Sequence, residues 1–297
     1  MYERAFRIRH YECDAYGHVN HANYLRYMQE AALDASATVG YDISCYQQMQ
    51  RHWLIRETDV TFLRPLHYGD TAVIKTWVQD FRRVRSRRAY EIRLDGSGEL
   101  VAQAHTDWVF LDSQTLRPAT IPDEMILAFM PAGIPTQAPR REPFPAAPPP
   151  PPGQITTRPT VRWRDIDAAG HVNNAMYLAY IEDCSLQSLA AYGWPIGRLM
   201  EAGFGIVARR YRIEYKQPAL LDEELEVATY ISHVKRATAV RHCTITRLHD
   251  QALLAQACIT AVCVDLTTGQ PRRIPADFLA DISPHIAKPD QHPGLPK

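Results

Sequence analysis

The segment DAYGHVNHANYLRY at residues 14–27 recurs as DAAGHVNNAMYLAY at residues 167–180. The two segments agree at 10 of 14 positions, with a constant offset of 153 residues. The same offset continues without insertion through the pairs Pro65 and Pro218, Asp112 and Asp265, and Pro122 and Pro275. This register predicts that the two halves share one fold, and a duplicated domain usually copies the pairing of a homodimer.

The length and composition favour an ordinary two-domain protein. The chain has 297 residues, of which 46% are apolar, and 33 basic residues balance 33 acidic ones. This balance offers no global attraction to nucleic acid or to an anionic membrane. No apolar run is long enough for a membrane span, and the opening MYERAFRIRH is charged where a signal peptide would be apolar. We therefore expect a cytoplasmic protein that binds neither nucleic acid nor membrane.

A proline-rich stretch separates the two repeats. Eleven of the 22 prolines lie between Pro131 and Pro159, and such a stretch favours an extended conformation that buries little surface. We predict an N-terminal domain at residues 1–130, a linker at 131–159, a C-terminal domain at 160–284 and a tail at 285–297. A proline-rich ligand for the aromatic groove of a partner is the alternative for the linker.

Each half carries the pattern of one helix followed by strands. We expect a short strand near residues 6–11 and another near 160–164. Asn20 and Asn173 stand where helix N-caps belong, and residues at helical spacing follow them. Beyond the helix, apolar and polar residues alternate with period two, which is typical of strands. This order predicts an α+β fold in which an antiparallel sheet wraps one long helix.

The repeated turn carries an acid, a glycine, a histidine and an asparagine: Asp14, Gly17, His18 and Asn20, then Asp167, Gly170, His171 and Asn173. A helix N-terminus presents unpaired N–H groups, which receive a carbonyl oxygen or a carboxylate well. A carboxylate beside such amides can attack a carbonyl or deprotonate water while the amides take up the oxyanion. The pattern therefore favours hydrolysis, and a purely structural capped turn is the alternative.

Metal and serine chemistry find little support in the sequence. No third or fourth metal ligand accompanies the Asp and His of the turn, and the six cysteines form no CxxC pair. No GxSxG motif occurs, so a serine triad is not predicted either. We expect no metal site.

The turn and the helix that follows it resemble the Asp-containing signature of the hot-dog-fold thioesterases. The likeness is to the group of 4-hydroxybenzoyl-CoA thioesterases and acyl-CoA thioester hydrolases. Residues 207–219 and, more weakly, 54–65 resemble the second strand of that family. The resemblance implies two tandem hot-dog domains paired as a pseudo-dimer, with the thioester at the seam between the halves. It also implies a place in fatty acid metabolism.

The resemblance implies a role for particular residues. Asp14 and Asp167 match the catalytic aspartate of the family, which acts as general base or nucleophile. Backbone amides polarise the thioester carbonyl, and we place these donors at four residues: His52, Trp53, Gly205 and Ile206.

The histidines and asparagines of the turn complete the predicted catalytic set. Plant acyl-carrier-protein thioesterases of the family also carry HVNN, which residues 171–174 match. Those enzymes place an asparagine two residues before the histidine, where this chain has Tyr16 and Ala169. We therefore expect His18 and His171 to polarise or position, with Asn20 and Asn173 beside them. A histidine bonded to a neighbouring backbone carbonyl is the alternative.

Five arginines occur between residues 82 and 88, and the second copy carries Lys235, Arg236 and Arg241. Residues two apart on a strand share a face, so Arg83, Arg85 and Arg87 are expected to form a row suited to phosphates. We assign the phosphates of coenzyme A to Arg83, Arg85, Arg87, Lys235 and Arg236. Solvated surface arginine is the alternative.

The leading hypothesis is hydrolysis of an acyl-CoA to a free acid and coenzyme A, which is part of the substrate, so no cofactor is expected. An acyl-acyl-carrier-protein thioesterase is the alternative within enzymes. A non-catalytic hot-dog module that binds acyl-CoA is the alternative from another class. The identity of the acyl group, the number of active sites and the assembly of the double unit into a homo-oligomer are left open.

Overall fold

In the computed structural model, which describes residues 1–135 and 141–288, the chain divides into two compact units. The first unit is Met1–Pro143, and the second begins at Phe144. Each unit packs a long helix against an antiparallel sheet. The α+β plan predicted from the repeat and the hot-dog fold implied by the resemblance are therefore confirmed, with one hot-dog unit for each copy of the turn.

The elements of the first unit are β1 (Tyr2–Arg7), α1 (His21–Ala37), α2 (Ile43–Gln48), β2 (Arg51–Phe62), β3 (Thr71–Arg82), β4 (Arg85–Leu94), β5 (Leu100–Asp112) and α3 (Asp123–Phe129). Its strands lie in the order β1-β3-β4-β5-β2, each antiparallel to its neighbour. Helix α1 packs against β3 and β1. The register pairs Arg51 with Asp112 at one end of β2 and Phe62 with Ala102 at the other end.

The elements of the second unit are β6 (Ile155–Thr157), α4 (Asn174–Ala191), α5 (Ile196–Glu201), β7 (Phe204–Tyr215), β8 (Leu225–Ser232), β9 (Thr238–Arg247), β10 (Leu253–Asp265) and α6 (Ala276–Asp281). The strand order is β6-β8-β9-β10-β7, again antiparallel throughout. The bounds of β7, β9 and β10 equal those of β2, β4 and β5 shifted by 153 residues. In these three strands the repeat in the sequence is thus a repeat in structure, residue for residue.

Each long helix begins at a capping asparagine and buries one side. The Asn20 side chain accepts the Ala22 N–H at 2.9 Å, and the Asn173 side chain accepts the Ala175 N–H at 3.0 Å. Each such cap contributes about 1 kcal/mol to helix stability. The residues that follow the caps at helical spacing are buried: Tyr24, Tyr27, Met28, Ala31 and Ala35 in α1, and Tyr177, Ile181, Cys184 and Ser188 in α4.

The first strand of each half lies earlier in the chain than predicted. Strand β1 ends at Arg7, and His10–Glu12 forms a 3₁₀ turn, so the strand predicted at residues 6–11 is largely wrong. Strand β6 lies at Ile155–Thr157, and Trp163–Asp165 is a 3₁₀ turn within the strand predicted at 160–164. Pairing with β3 and with β8 fixes these strands, and a local pattern does not contain such tertiary contacts.

Part of the predicted linker and part of the predicted tail pack on the second unit. The Tyr192 hydroxyl donates to the Gly153 carbonyl at 2.7 Å. The Ala287 N–H donates to the Ile231 carbonyl at 2.7 Å, and His285 is buried. Together with β6, these contacts show that the linker buries more than its composition suggests. The predicted domain boundaries remain predictions, and residues 136–140 and 289–297 lie outside the described residues.

Two chain-wide features concern the helices and the thiols. Across residues 1–135 and 141–288, no helix combines the length and the apolar character that crossing a membrane would require. The six cysteines are free thiols, and Cys184, Cys243 and Cys263 are buried while the others are half-buried.

Candidate active site

The first turn holds the Asp14 carboxylate just before α1. Its Oδ1 accepts the backbone N–H of Tyr16 at 2.9 Å and that of His18 at 3.2 Å. The Asp14 N–H donates in turn to the His18 carbonyl at 2.7 Å. Asp14 is half-buried, and its Oδ2 accepts no hydrogen bond from the described residues. The turn therefore fixes one carboxylate oxygen and leaves the other for water or substrate.

The second turn repeats this geometry with one addition. Oδ1 of Asp167 accepts the Ala169 N–H at 2.9 Å, and the Asp167 N–H donates to the His171 carbonyl at 3.1 Å. Oδ2 of Asp167 accepts a hydrogen bond from Nδ2 of Asn173 at 3.1 Å. Both oxygens of this half-buried carboxylate are therefore engaged.

The glycine of each turn is required by its backbone conformation. Gly17 has φ +77° and Gly170 has φ +80°, a region that residues with a side chain rarely adopt. A Cβ at either position would meet no heavy atom within 4 Å, so space is not the reason for glycine. Each glycine N–H closes the turn on the aspartate carbonyl, at 3.0 Å in the first copy and 2.9 Å in the second.

A buried acid lies two residues before each aspartate. Glu12 is 5% exposed and Asp165 is 3% exposed. Oδ2 of Asp165 accepts the Tyr180 hydroxyl and the Arg162 N–H, both at 2.8 Å. Glu12 accepts the Arg9 N–H at 2.7 Å. These supporting residues were not predicted, although an acid at both positions of the 153-residue offset was a usable signal.

The histidine of each turn sits beside the aspartate. The His18 ring packs edge to face on His67, with centroids 5.2 Å apart. Burial lowers the pKa of His18, against the opposing effect of the Asp14 carboxylate, so the ring is neutral at pH 7. Nδ1 of His171 lies 3.3 Å from the Val172 carbonyl oxygen. The ring contact of His18 and the carbonyl contact of His171 suit residues that position the turn. A histidine bonded to a neighbouring backbone carbonyl was the alternative expected from the sequence, and His171 fits it.

The amides closest to the aspartate are not free to receive an oxyanion. The N–H groups of Tyr16 and His18 bond the Asp14 carboxylate itself. The Ala22 N–H, in the first turn of α1, is taken by the Asn20 cap. The expectation that amides beside the aspartate take up the oxyanion is therefore wrong for these three groups. Their physical role is to orient a carboxylate.

Within the first unit, the predicted oxyanion amides lie far from the turn. Phe62, at one end of β2, packs on the His21 ring at 4.9 Å between centroids. His52 and Trp53 lie at the other end of the same strand. At about 3.3 Å per residue, this separation is roughly 30 Å along the strand.

The second unit shows the same separation. Tyr215, at the end of β7, donates from its hydroxyl to the carbonyl of Asn174 at 3.0 Å. Gly205 and Ile206 lie at the start of β7. The structure therefore does not bring the amides and the aspartate of one unit together, and the assignment of these four amides stays a prediction.

Two of these four amides are directed away from the strand pairing of their own unit. Trp53 lies opposite Phe110, whose N–H and carbonyl bond residues outside the β2-β5 pair. Opposite residues of an antiparallel pair exchange both hydrogen bonds or neither, so the Trp53 N–H points away from β5. In the second unit, Ile206 lies opposite Cys263, whose N–H and carbonyl also bond residues outside the β7-β10 pair. The Ile206 N–H therefore points away from β10.

The predicted row of three arginines on one strand face is wrong. Arg83 lies in the turn between β3 and β4, because the hairpin turn interrupts the alternation assumed there. Arg87 makes two bonds to the Asp107 carboxylate, at 2.8 and 2.7 Å, so the Nε–Nη2 edge of its guanidinium is occupied. Arg83 and Arg85 are exposed, as are residues 235–236 in the corresponding turn of the second unit.

Two other arginines of these clusters are buried at equivalent positions of the repeat. Arg88 is 6% exposed and Arg241 is 7% exposed. Nη1 of Arg88 donates to Thr76 Oγ1 at 3.3 Å, and Nη1 of Arg241 donates to Thr229 Oγ1 at 2.9 Å. Such enclosed guanidinium groups cannot meet a phosphate at the surface.

Comparisons with known protein families match both units. Residues 161–282 match the model of the thioesterase-like superfamily, and residues 1–129 match that of the N-terminal domain of acyl-ACP thioesterases. The acyl-CoA thioester hydrolase YbgC of Escherichia coli is 31% identical over 121 residues, which is 41% of this chain and 90% of YbgC.

A plant enzyme is similar over a longer stretch. The dodecanoyl-[acyl-carrier-protein] hydrolase of Umbellularia californica is 27% identical over 195 residues, which is 61% of this chain. This chain spans 50% of the length of that relative. The solved structure of the 12:0-ACP thioesterase from Umbellularia californica superposes with a TM-score of 0.70 at 22% identity, covering 88% of this chain and 93% of that one. The structural likeness is one of fold.

Proposed function

The chain belongs to the hot-dog thioesterase superfamily and is a thioester hydrolase, and we propose that it cleaves acyl-coenzyme A, with Asp14 and Asp167 as the catalytic carboxylates. The observation that carries this proposal is the half-buried aspartate in each of two matched turns, oriented by backbone amides of its own turn. The name of YbgC, of which the chain matches 90%, supports coenzyme A as the carrier. These relatives speak against the non-catalytic acyl-binding alternative.

Asp14 acts in this proposal through Oδ2, the oxygen that the turn leaves unbonded. In the general-base route the carboxylate takes a proton from water while the water oxygen bonds the thioester carbonyl carbon. The carbon–sulfur bond then breaks, coenzyme A leaves as the thiolate and is protonated, and the free acid remains. In the nucleophilic route Oδ2 itself bonds the carbonyl carbon, the carbon–sulfur bond breaks as coenzyme A leaves as the thiolate and is protonated, and water hydrolyses the resulting anhydride to the free acid and the aspartate.

The two routes differ in what is attached to the chain during turnover. Only the nucleophilic route adds the mass of the acyl group to the protein. Rapid-quench mass spectrometry of a single turnover therefore distinguishes them. An acyl-protein that forms and decays at the rate of turnover supports the nucleophilic route, and its absence supports the general base.

The remaining residues of the turn hold the carboxylates in place. His18 and His171 are positioning residues in this proposal, since each contacts the turn that carries the aspartate. Asn173 adds a direct bond to Asp167. The exposed Arg83 and Arg85 are the groups of the arginine cluster that we assign to the phosphates of coenzyme A.

The phosphates also have candidate ligands in the second unit. Lys235 and Arg236 are exposed in the turn between β8 and β9. This turn corresponds to the one that carries Arg83 in the first unit. We assign both side chains to coenzyme A on the basis of this equivalence and their charge.

An acyl carrier protein is the second candidate carrier. The match of residues 1–129 to acyl-ACP thioesterases favours it, as does the name of the Umbellularia enzyme. Rates measured with one acyl group on both carriers decide between them. A kcat/KM higher for dodecanoyl-CoA supports our proposal, and one higher for the dodecanoyl carrier protein supports the alternative.

The catalytic assignment is tested with the double variant Asp14→Asn and Asp167→Asn. We expect release of free thiol from dodecanoyl-CoA to fall at least about 100-fold, the usual effect of losing an acid–base group. Asp183→Asn, on an exposed aspartate of α4, is the matched control for charge. Thiol release at the wild-type rate by a folded double variant would refute the assignment.

A further inference from the structure

An apolar cavity lies inside the second unit, away from the turn that carries Asp167. It is lined by residues of β7, β8, β9 and β10 together with α4 and α6; its enclosed part has a volume of about 30 Å³, and the rest of its space is open to solvent. The lining is mostly apolar and includes Leu189, Ile231, Ala239 and Phe278. The guanidinium of Arg241 is the charged group of this lining among the described residues.

Arg241 is 7% exposed, and all its recorded hydrogen bonds use Nη1. Nη1 lies 3.1 Å from Ser188 Oγ, 2.9 Å from Thr229 Oγ1 and 3.4 Å from Nε2 of His285. Nε and Nη2 have no hydrogen-bond partner in the part of the chain that the structure describes. The edge of the guanidinium that forms a two-pronged donor is therefore left for a ligand.

The groups around Arg241 are neutral. Nδ1 of His285 lies 3.1 Å from the Gly153 carbonyl oxygen, so Nδ1 carries the proton and Nε2 accepts from Arg241. Burial and the Arg241 charge lower the pKa of His285 to about 4, which keeps the ring uncharged at pH 7. Ser188 and Thr229 are hydroxyls. No carboxylate forms an ion pair with Arg241 within residues 1–135 and 141–288.

A buried guanidinium without an anion is expensive, because its charge has lost water and gained no opposite charge. A carboxylate is the anion whose two oxygens match the two N–H groups of a guanidinium edge. The apolar lining suits hydrocarbon better than a hydrated inorganic ion, and a chain would extend through the open mouth because the enclosed part is small. We propose that this cavity binds a carboxylate carried on a hydrocarbon chain, with Arg241 as its ion-pair partner.

Two sources supply this chemistry in a thioester hydrolase. One is a free fatty acid, the class of product that the proposed reaction releases. The other is the distal carboxylate of a dicarboxylic acyl thioester, and only this source rests on the proposed function. Binding of a free acid needs no turnover, so it is measured independently of the catalytic assignment.

The first test is calorimetric titration of the full-length protein with octanoate and with octanol. We expect octanoate to bind and octanol, which has the same chain without the charge, to bind at least about tenfold more weakly. Arg241→Met should weaken octanoate by at least about tenfold, and Arg273→Met, on an exposed arginine of the same unit, should leave it unchanged. Equal binding of octanoate and octanol, or octanoate binding that survives Arg241→Met, would overturn the proposal.

A second variant covers the case in which Arg241→Met does not fold. Ala239→Phe fills the cavity without removing the guanidinium and should also abolish octanoate binding. Unaltered octanoate binding in a folded Ala239→Phe protein would place the acid elsewhere and refute the site.

A final comparison separates the two sources. The ratio of kcat/KM for octanedioyl-CoA to that for octanoyl-CoA is measured in the wild type and in Arg241→Met. A ratio that falls about tenfold in the variant identifies the distal carboxylate as the natural ligand. If Arg241→Met loses octanoate binding while the ratio is unchanged, the free acid is the natural ligand. If octanoate binding and the ratio are both unchanged, the cavity is not a carboxylate site.

Discussion

Nδ2 of Asn173 donates a hydrogen bond to Oδ2 of Asp167 at 3.1 Å, and the same side chain accepts the Ala175 N–H at 3.0 Å. One asparagine therefore caps the long helix and holds the carboxylate of its turn. In the first turn, Oδ2 of Asp14 accepts no bond from the described residues. The two turns share a sequence motif and differ in the hydrogen bonding of their carboxylates.

This difference predicts unequal activities. A carboxylate oxygen that already accepts a hydrogen bond has one lone pair fewer for the proton of water or for the thioester carbonyl carbon. We therefore expect Asp14→Asn to lower kcat more than Asp167→Asn does, measured separately on dodecanoyl-CoA. A greater loss in Asp167→Asn would contradict this ranking.

The bond from Asn173 can be removed without removing the helix cap. Serine is also a good N-cap residue, but its side chain is too short to replace the Asn173 bond to Asp167. In an Asp14→Asn background, Asn173→Ser should raise kcat by freeing Oδ2 while keeping the midpoint of thermal unfolding. Asn173→Ala is the comparison, since it loses the cap as well and should cost about 1 kcal/mol. A kcat that stays constant or falls in the serine variant would count against this role of the bond.

The turn glycines should be sensitive to substitution through their backbone alone. Gly170→Ala forces an alanine into φ +80° with no neighbour within 4 Å, and we expect a loss of about 1 kcal/mol. Gly197, in α5, also has open space but no positive φ, so Gly197→Ala should be neutral or stabilising. Chemical denaturation of both variants measures the difference, and equal losses would argue that φ is not the cause.

Stability should fall on acidification because of His242. Burial, followed by the charge of His233, lowers the pKa of His242 to about 4 from 6.5, and Nε2 lies 2.8 Å from Ser232 Oγ. The unfolded state therefore binds a proton at a higher pH than the folded state. The contribution of neutral His242 to the free energy of unfolding is fully present above about pH 6.5. It is lost as the pH falls toward about 4, and its size is on the order of 3 kcal/mol.

The free energy of unfolding measured across this pH range tests the assignment. His242→Gln should make the pH dependence shallower by about half, because His285, whose pKa burial also lowers to about 4, keeps its own share. His249→Gln, on a ring with 66% of its side chain exposed, should keep the wild-type slope. An unchanged slope in His242→Gln would show that other groups cause the acid sensitivity.

The arginine cluster should separate into binding and structural members. Arg83→Met and Arg85→Met should raise KM for acyl-CoA, most strongly at low salt, and leave stability unchanged, because both side chains are exposed. Arg87→Met should lower the midpoint of thermal unfolding instead, because it leaves the Asp107 carboxylate without its bidentate partner. A KM that is insensitive to both exposed arginines would remove them from the coenzyme A site.

Much of the turn could be predicted because its determinants are local. Asn20 caps α1 from two residues away, and Gly17 provides the positive φ that closes the turn on Asp14. These interactions span a few residues and recur in the second copy, so a sequence pattern contains them. The buried acids Glu12 and Asp165 were equally visible in the repeat, although their role depends on their burial.

The duplication, the capped long helix, the α+β plan of each half and the aspartate in its turn could be read from the sequence, because each follows from short-range spacing repeated at one offset; the hot-dog fold was implied by the family resemblance. The pairing of β1 and β6, the burial of particular arginines and the unbonded carboxylate oxygen emerged only in the folded protein. Those features depend on contacts between residues distant in the chain. Arg85 is exposed and Arg88 is buried, although both belong to the same arginine-rich segment. Only their packing in the folded protein distinguishes them.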